Sequence, residues 1–339
     1  MTAAADRLPL ALTMGEPAGI GGEIALKAWA NHRANLPAFF LIDDPARLER
    51  IAGDCGLDVA LCPIGGPAEA VDAFPKALPV LPQPIPKPTA PGKPAAENVP
   101  AVLDAIRRAV ECVRTGLAAA LVTNPIHKHS LQAAGVTYPG HTEYLAHLAG
   151  GGAQSVMLLA IDTLRVVPVT VHEPLRTVAN HLTRERIVLC GRITAEGLQR
   201  DFGIAHPRLA VAALNPHAGE AGALGHEEET IIAPAIADLA ELGIAATGPH
   251  PADTLFHASA RDAYDAVLCM YHDQALIPLK TIDFAGGVNV TLGLPFVRTS
   301  PDHGTAFGIA GQGIADETSL VAALRLADAI AARRQATPR

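Results

Sequence analysis

The chain has 339 residues, of which 49% are hydrophobic, 18% charged and only 4% aromatic, with a formal net charge of -8. That length buries a large core and points to two lobes, while the deficit of Lys and Arg excludes an extended nucleic-acid surface. No apolar run reaches membrane length, and M-T-A-A-A-D-R-L-P-L lacks a signal-peptide core, so a cytoplasmic protein with no membrane partner is expected. Cys55, Cys62, Cys112, Cys190 and Cys269 form no C-x-x-C pair and read as reduced thiols.

Leu8 to Thr13 reads as a buried strand that runs into M-G-E-P-A-G-I-G-G-E and then a helix from about Ile24. Strand, glycine turn and helix aim free backbone N–H groups at a ligand, though the turn is neither G-x-G-x-x-G nor a P-loop. A tight strand-to-helix connection explains the same glycines equally well. Ala38 to Ile42 is a second strand. Residues 75–100 are proline-rich, either a linker or an ordered surface excursion. Asn98 is placed to cap a helix carrying Val102, Ile106, Val110 and Val113, which Gly116 closes.

Leu117 to Val122 is the next strand and opens into T-N-P-I-H-K-H. Val156 to Ile161 and Val166 to Val171 suggest a hairpin about Asp162-Thr163, the second arm ending at His172. Leu209 to Leu214 ends in N-P-H-A-G-E, which sets His217 just past a strand. Glu227 to Leu242 is helical, with Pro234 as a kink or a late start. Ala266 to Met270 is a buried strand leading to His272, and Val288 to Leu292 alternates apolar and polar residues. Asp316 to Arg334 closes the chain as an amphipathic helix. The alternation predicts an α/β protein with a mixed, mainly parallel sheet.

His172, His217 and His272 each follow a predicted strand. Strand ends are where α/β sheets bind ligands, and three imidazoles with open positions is the form of a catalytic metal site. For each histidine taken singly, hydrogen bonding or packing is the commoner role. Asp253 and Asp273 are placed either to orient metal-bound histidines or to cap helices. Lys280, Arg298, His141, Thr142 and Asn289 form a polar group suited to a phosphate or carboxylate, against the alternative of solvated surface cations.

G-E-P-A-G-I-G-G-E, T-N-P-I-H-K, P-G-H-T-E-Y, N-P-H-A-G-E, P-A-D-T-L-F, Y-H-D-Q and N-V-T-L-G-L-P-F-V-R-T-S-P-D-H-G-T-A occur in order from about Leu10 to Ala315. Together they resemble the 4-hydroxythreonine-4-phosphate dehydrogenase (PdxA) family of pyridoxal phosphate biosynthesis. The resemblance implies a two-lobed α/β/α fold similar to isocitrate and isopropylmalate dehydrogenases, not a Rossmann fold. The lobes are expected at 1–129 with 300–339, and at 130–299. It implies NAD or NADP and a divalent metal (Zn, Mg, Co or Mn) as cofactors. The phosphorylated amino-acid substrate, 4-phosphooxy-L-threonine, would be oxidised at C3 and decarboxylated to 3-amino-2-oxopropyl phosphate.

Carried onto this sequence, the resemblance makes His172, His217 and His272 metal ligands, and His141, Thr142, Lys280, Asn289 and Arg298 substrate-binding residues. H-G-T-A-F-G-I-A-G, with Gly304, Thr305, Ala306 and Gly311, matches the cofactor loop. His272, Asp273 and Lys280 are the catalytic group, with the general base open between Lys280 and a metal-bound hydroxide. A homodimer with a shared active site in a cleft between the lobes is implied. Gly22 stands where the family usually has Pro, and Gly308 where an acid is frequent. Rival readings are a relative acting on a 4-phosphorylated threonate or erythronate or on a dicarboxylate dihydrodiol. A metal-dependent hydrolase or phosphoryl-group enzyme is a third, from another class.

Overall fold

The computed structural model describes residues 7–135, 141–150 and 152–336, with the backbone alone for 141–143. In chain order, residues up to Gln154 contribute β1 (Leu10–Thr13), α1 (Gly21–His32), β2 (Phe39–Asp43), α2 (Pro45–Asp54), β3 (Leu61–Pro63) and α3 (Ala70–Ala73). β4 (Leu78–Pro82), α4 (Val99–Arg114), β5 (Leu121–Thr123), α5 (Lys128–Ala133) and α6 (His141–Leu148) come after them. The next segment holds β6 (Val156–Ile161), β7 (Leu164–Pro168), α7 (Leu175–His181), α8 (Arg184–Phe202), β8 (Arg208–Ala212) and α9 (Ala233–Glu241). It continues with β9 (Ala245–His250), α10 (Ala258–Arg261), β10 (Ala266–Cys269), α11 (His272–Ile282) and β11 (Val288–Leu292). β12 (Arg298–Pro301) and α12 (Thr318–Ala336) end the chain's regular structure. The chain divides into Met1–Gln154 with Leu294–Ala332, and Ser155–Gly293 with Arg333–Arg339.

In the first unit the strands run β3-β4-β2-β1-β5-β12, and every neighbouring pair is parallel. β1 and β2 are buried at every position, so both read as continuous apolar runs instead of alternating ones. The face of α4 bearing Val102, Ile106 and Val110 packs into a core with Phe40, Ile42 and Leu121. Asn98 does not cap α4 with its side chain. Its amide instead accepts from Lys87 N at 2.9 Å and donates to Lys87 O at 2.8 Å, which pins the proline-rich segment in place. That segment is ordered and contains β4, paired with β2 and β3.

In the second unit the order is β11-β6-β7-β10-β8-β9. β11–β6 and the β6–β7 hairpin are antiparallel; β7–β10, β10–β8 and β8–β9 are parallel. The expected hairpin therefore stands, and the sheet is mixed and mainly parallel. Pro234 marks the late start of the helix and does not kink it. It sits in the first turn of α9, and residues Glu228–Ile232 ahead of it form a π-turn, with Ala233 N donating to Glu228 O. Thr183 caps α8 through Arg186 N, and Gly203, at φ 72°, closes it in the left-handed region.

Asp201 is a buried charge of this unit. Its carboxylate takes paired hydrogen bonds from Arg334 (2.7 and 2.9 Å) and Arg200 (2.8 and 3.0 Å). Burial alone would raise its pKa, but the two guanidinium groups hold it below the ordinary carboxylate value. A lowered folded-state pKa stabilises the fold above the unfolded value of 3.8 and loses that contribution as pH falls below it. Asp201→Ala is therefore expected to lower unfolding free energy by about 3 kcal/mol at neutral pH, as removing one partner of a buried pair does. Urea denaturation should show the gap from the parent protein narrowing at pH 3.

Candidate active site

β7, β10 and β8 are adjacent and parallel, so their C-terminal ends share one edge of the second unit. His172, His272 and His217 lie just past those three ends. Beyond the ladder, Val169 N still donates to Cys269 O (2.7 Å), and the Thr170 hydroxyl to Met270 O (2.7 Å). The two exits are thereby tied together up to the histidines. Gln274, buried, accepts from Met270 N at 2.6 Å and donates to Ala213 O at 2.7 Å, joining the β10 exit to the β8 exit.

The His172 and His272 ring centroids lie 5.9 Å apart. Both rings line a cavity of about 260 Å³ with Thr170, Glu173, Tyr271 and Asp273. His272 Nδ1 is 2.7 Å from Asp273 Oδ1, so Nδ1–H donates to the carboxylate and Nε2 is the ring nitrogen left for a ligand. Two rings sharing one ion through bonds of about 2.1 Å lie roughly this far apart, and imidazole with an adjacent carboxylate suits a divalent transition metal. The donor chemistry fits the implied cation.

His217 does not line that cavity. Its side chain is 71% exposed, with Nδ1 at 3.5 Å from Glu220 Oε2. Among the described residues, no group of three or more His, Cys, Asp or Glu side chains is placed to hold one ion. The backbone here is unusual. His217, Ala218, Glu220 and Ala221 have φ between 45° and 54°, with Gly219 and Gly222 also left-handed. A left-handed non-glycine residue costs about 1–2 kcal/mol, and such strain clusters at functional sites.

Arg298 opens β12 in the first unit, buried, with Nε and Nη2 on the Thr123 hydroxyl at 3.2 and 2.7 Å. Burial pushes its pKa down to about 10, a penalty that an anionic ligand offsets. His141 and Thr142 start α6 in the same unit; their side chains lie outside the described residues. Lys280 and Asn289 belong to the second unit. Lys280 Nζ lies 5.3 Å over the Phe284 ring, and Asn289 Oδ1 is buried with no hydrogen-bond partner among the described residues.

The glycine turn is packed as tightly as the structural reading requires. At Gly15, φ is 68°, and a Cβ would meet Asn124 Cβ and Pro125 O at 2.7 Å. Thr305 O of the proposed cofactor loop accepts from Ile20 N at 3.1 Å. Ala306 is left-handed, and Phe307 meets His127 edge-on at 4.9 Å. A side chain at Gly304 would meet open space, and one at Gly311 would meet Pro91. A Cβ at Gly22 would lie 2.7 Å from Ile51 Cδ1 and 3.2 Å from Arg47 Nη1. Gly22 thus leaves room for Arg47, which bridges Asp43 Oδ2 (2.7 Å) and Pro17 O (3.0 Å) and stiffens the turn from outside. Gly308 faces open space.

Sequence reasoning missed Thr123, Gln274 and Glu228. Gln274 lies within Y-H-D-Q, but only its burial separates it from a surface amide. Glu228 sits in a run of three acids that reads as a solvated face, yet it is 3% exposed.

The family described as "Pyridoxal phosphate biosynthetic protein PdxA" matches residues 35–327. A Bradyrhizobium diazoefficiens protein named 4-hydroxythreonine-4-phosphate dehydrogenase is 53% identical over 96% of this chain and 98% of its own length. The crystal structure of 4-hydroxythreonine-4-phosphate dehydrogenase from Klebsiella pneumoniae superposes with a TM-score of 0.85 at 40% identity, covering 96% of this chain and 99% of that one. A terephthalate 1,2-cis-dihydrodiol dehydrogenase from Burkholderia xenovorans matches with a TM-score of 0.62 at 30% identity, covering 95% and 98%.

Ala218→Gly and Ala221→Gly should each relieve left-handed strain and raise stability by up to about 1 kcal/mol. A lowered melting temperature for both would show that the loop is not strained as its dihedral angles indicate.

Proposed function

The chain belongs to the PdxA family of pyridoxal phosphate biosynthetic proteins, and on that footing we propose that it is a 4-hydroxythreonine-4-phosphate dehydrogenase. The substrate hydroxyl at C3 is oxidised to a ketone, and the β-keto acid so formed loses CO2 to give 3-amino-2-oxopropyl phosphate. The observation carrying this reading is the pair of imidazoles, His172 and His272, on one cavity with Asp273 on the far nitrogen of His272.

His172, His272 and His217 are the ligand set. His172 and His272 share one cavity and His217 stands past the neighbouring strand, in a homodimer whose two copies share the site. These residues would hold a divalent cation (Zn, Mg, Co or Mn), which would supply a Lewis acid for the substrate hydroxyl and the carbonyl formed from it. The backbone of Gly304, Thr305, Ala306 and Gly311 would hold NAD or NADP, which would supply the hydride acceptor. Asp273 Oδ1 fixes the His272 tautomer by holding the Nδ1 proton. Lys280 Nζ takes the hydroxyl proton. Arg298, with Thr123 behind it, binds the phosphate; Asn289 offers its buried amide oxygen to a substrate donor, and His141 and Thr142 complete the anion contacts.

No described helix is long and apolar enough to cross a membrane, and all five cysteines are free, which supports a cytoplasmic enzyme. The Burkholderia xenovorans similarity supports a second reading, a dicarboxylate dihydrodiol as substrate. A substrate panel monitored by NADH absorbance separates the two. Turnover of 4-phosphooxy-L-threonine alone supports the first, and turnover of the dihydrodiol alone overturns it.

Arg298→Ala should raise KM for the phosphorylated substrate by roughly ten- to a hundredfold, the scale of a lost charge-assisted hydrogen bond. An unchanged KM would remove Arg298 from the phosphate site. His272→Ala should purify folded, by circular dichroism, and lose both bound divalent metal and turnover; full turnover after chelation would refute the metal role.

A further inference from the structure

The loop carrying His217 is wrapped around one buried carboxylate. Glu228 Oε1 accepts from Leu214 N at 2.9 Å and from Asn215 N at 2.7 Å, the two amides where the chain leaves β8. Its Oε2 accepts from Asn215 Nδ2 at 3.0 Å, and that amide also donates to Glu227 Oε2 at 2.8 Å. On the other side a Cβ at Gly219 would stand 2.7 Å from Glu228 Oε2, so the loop closes on the carboxylate from both flanks. Glu228 opens the π-turn with its side chain buried beneath the loop, while Glu229 beside it is exposed.

We propose that Glu228 is a positioning residue for His217: by accepting the three donors of residues 214 and 215, it holds the loop beyond them in its left-handed course and presents the imidazole for metal ligation. This rests on the reading of His217 as a ligand. Left-handed backbone is not what an L-residue chain adopts unaided, so something must over-determine it. Asn215, extended at φ -96° and ψ 157°, stands one residue, Pro216, ahead of the turn to φ 53° at His217. Clamping its backbone and side chain to one carboxylate fixes where that turn begins. Without the clamp, the ligating position is occupied for only a fraction of the time, and the apparent dissociation constant rises by the inverse of that fraction.

The test titrates cobalt(II) into the metal-free full chain and monitors its visible absorption bands, alongside thermal denaturation and amide hydrogen exchange. Glu228→Gln keeps the volume but gives up one acceptor oxygen. It is expected to weaken cobalt binding by roughly ten- to a hundredfold, as loss of a group supporting a ligand does, and to alter the band shape. Exchange at Leu214 and Asn215 should quicken while the β7 and β10 amides stay protected. Unchanged cobalt affinity and bands in folded Glu228→Gln, with His217→Ala losing cobalt, would overturn the positioning role and leave the functional reading standing. If His217→Ala binds cobalt as the parent does, the ligand reading fails and this proposal with it. Should Glu228→Gln not fold, Asn215→Ala removes the side-chain arm of the clamp and is expected to weaken cobalt binding in the same direction; parental affinity there overturns the proposal.

Discussion

A parallel sheet delivers the C-terminal ends of its strands to one edge, and the proposed metal site depends on the residues just past three of those ends. β7, β10 and β8 are neighbours. Side chains leaving them start from neighbouring strand ends, whatever their separation in sequence. The hydrogen bonds that run past the ladder, from Val169 and Thr170 to the β10 exit and through Gln274 to the β8 exit, keep those starting points fixed. Rigid elements of this kind hold a site more accurately than free loops do.

The same edge shows two ways of aiming an imidazole. His272 stands at the first position of α11, locked by the carboxylate of its own neighbour Asp273. His217 stands on irregular, left-handed backbone that a more distant carboxylate, Glu228, anchors from below. In the first unit, buried charge serves rigidity. Arg47 links Asp43 to the glycine turn, and Lys27 donates to Gly313 O and Ala315 O while lying 3.1 Å from Glu23. These groups are costly to bury unless paired and hydrogen-bonded; here each has an opposite charge beside it, while Arg47 Nη2 and Glu23 Oε2 have no hydrogen-bond partner among the described residues. Their pairing explains how a turn with Gly22 in place of the more rigid Pro keeps its course.

Much of the fold was legible where one face or both are buried. β1, β2, β6, β10 and β11 read directly from apolar runs or alternation, and α4 from its three-to-four-residue spacing. β12 did not, because Arg298-Thr299-Ser300-Pro301 is polar in sequence yet buried throughout. β4 hid within a proline-rich stretch, since pairing with β2 and β3 overrides the composition. Asn98 shows the limit of local rules: it has the chemistry of a cap, and tertiary packing turns it to Lys87 instead. In the candidate site, the positions of His172, His217 and His272 past strand ends were readable. The left-handed run at 217–222, the Gln274 bridge and the burial of Glu228 were not, because each is fixed by contacts remote in sequence.

The central claim is that imidazoles leaving neighbouring strand ends gather one divalent cation. Anomalous diffraction from crystals soaked in cobalt(II) tests it most directly. The account predicts an anomalous peak within about 2.3 Å of a ring nitrogen of both His172 and His272. A crystal in which bound cobalt lies away from both rings, or in which neither ring ligates any ion, would contradict it.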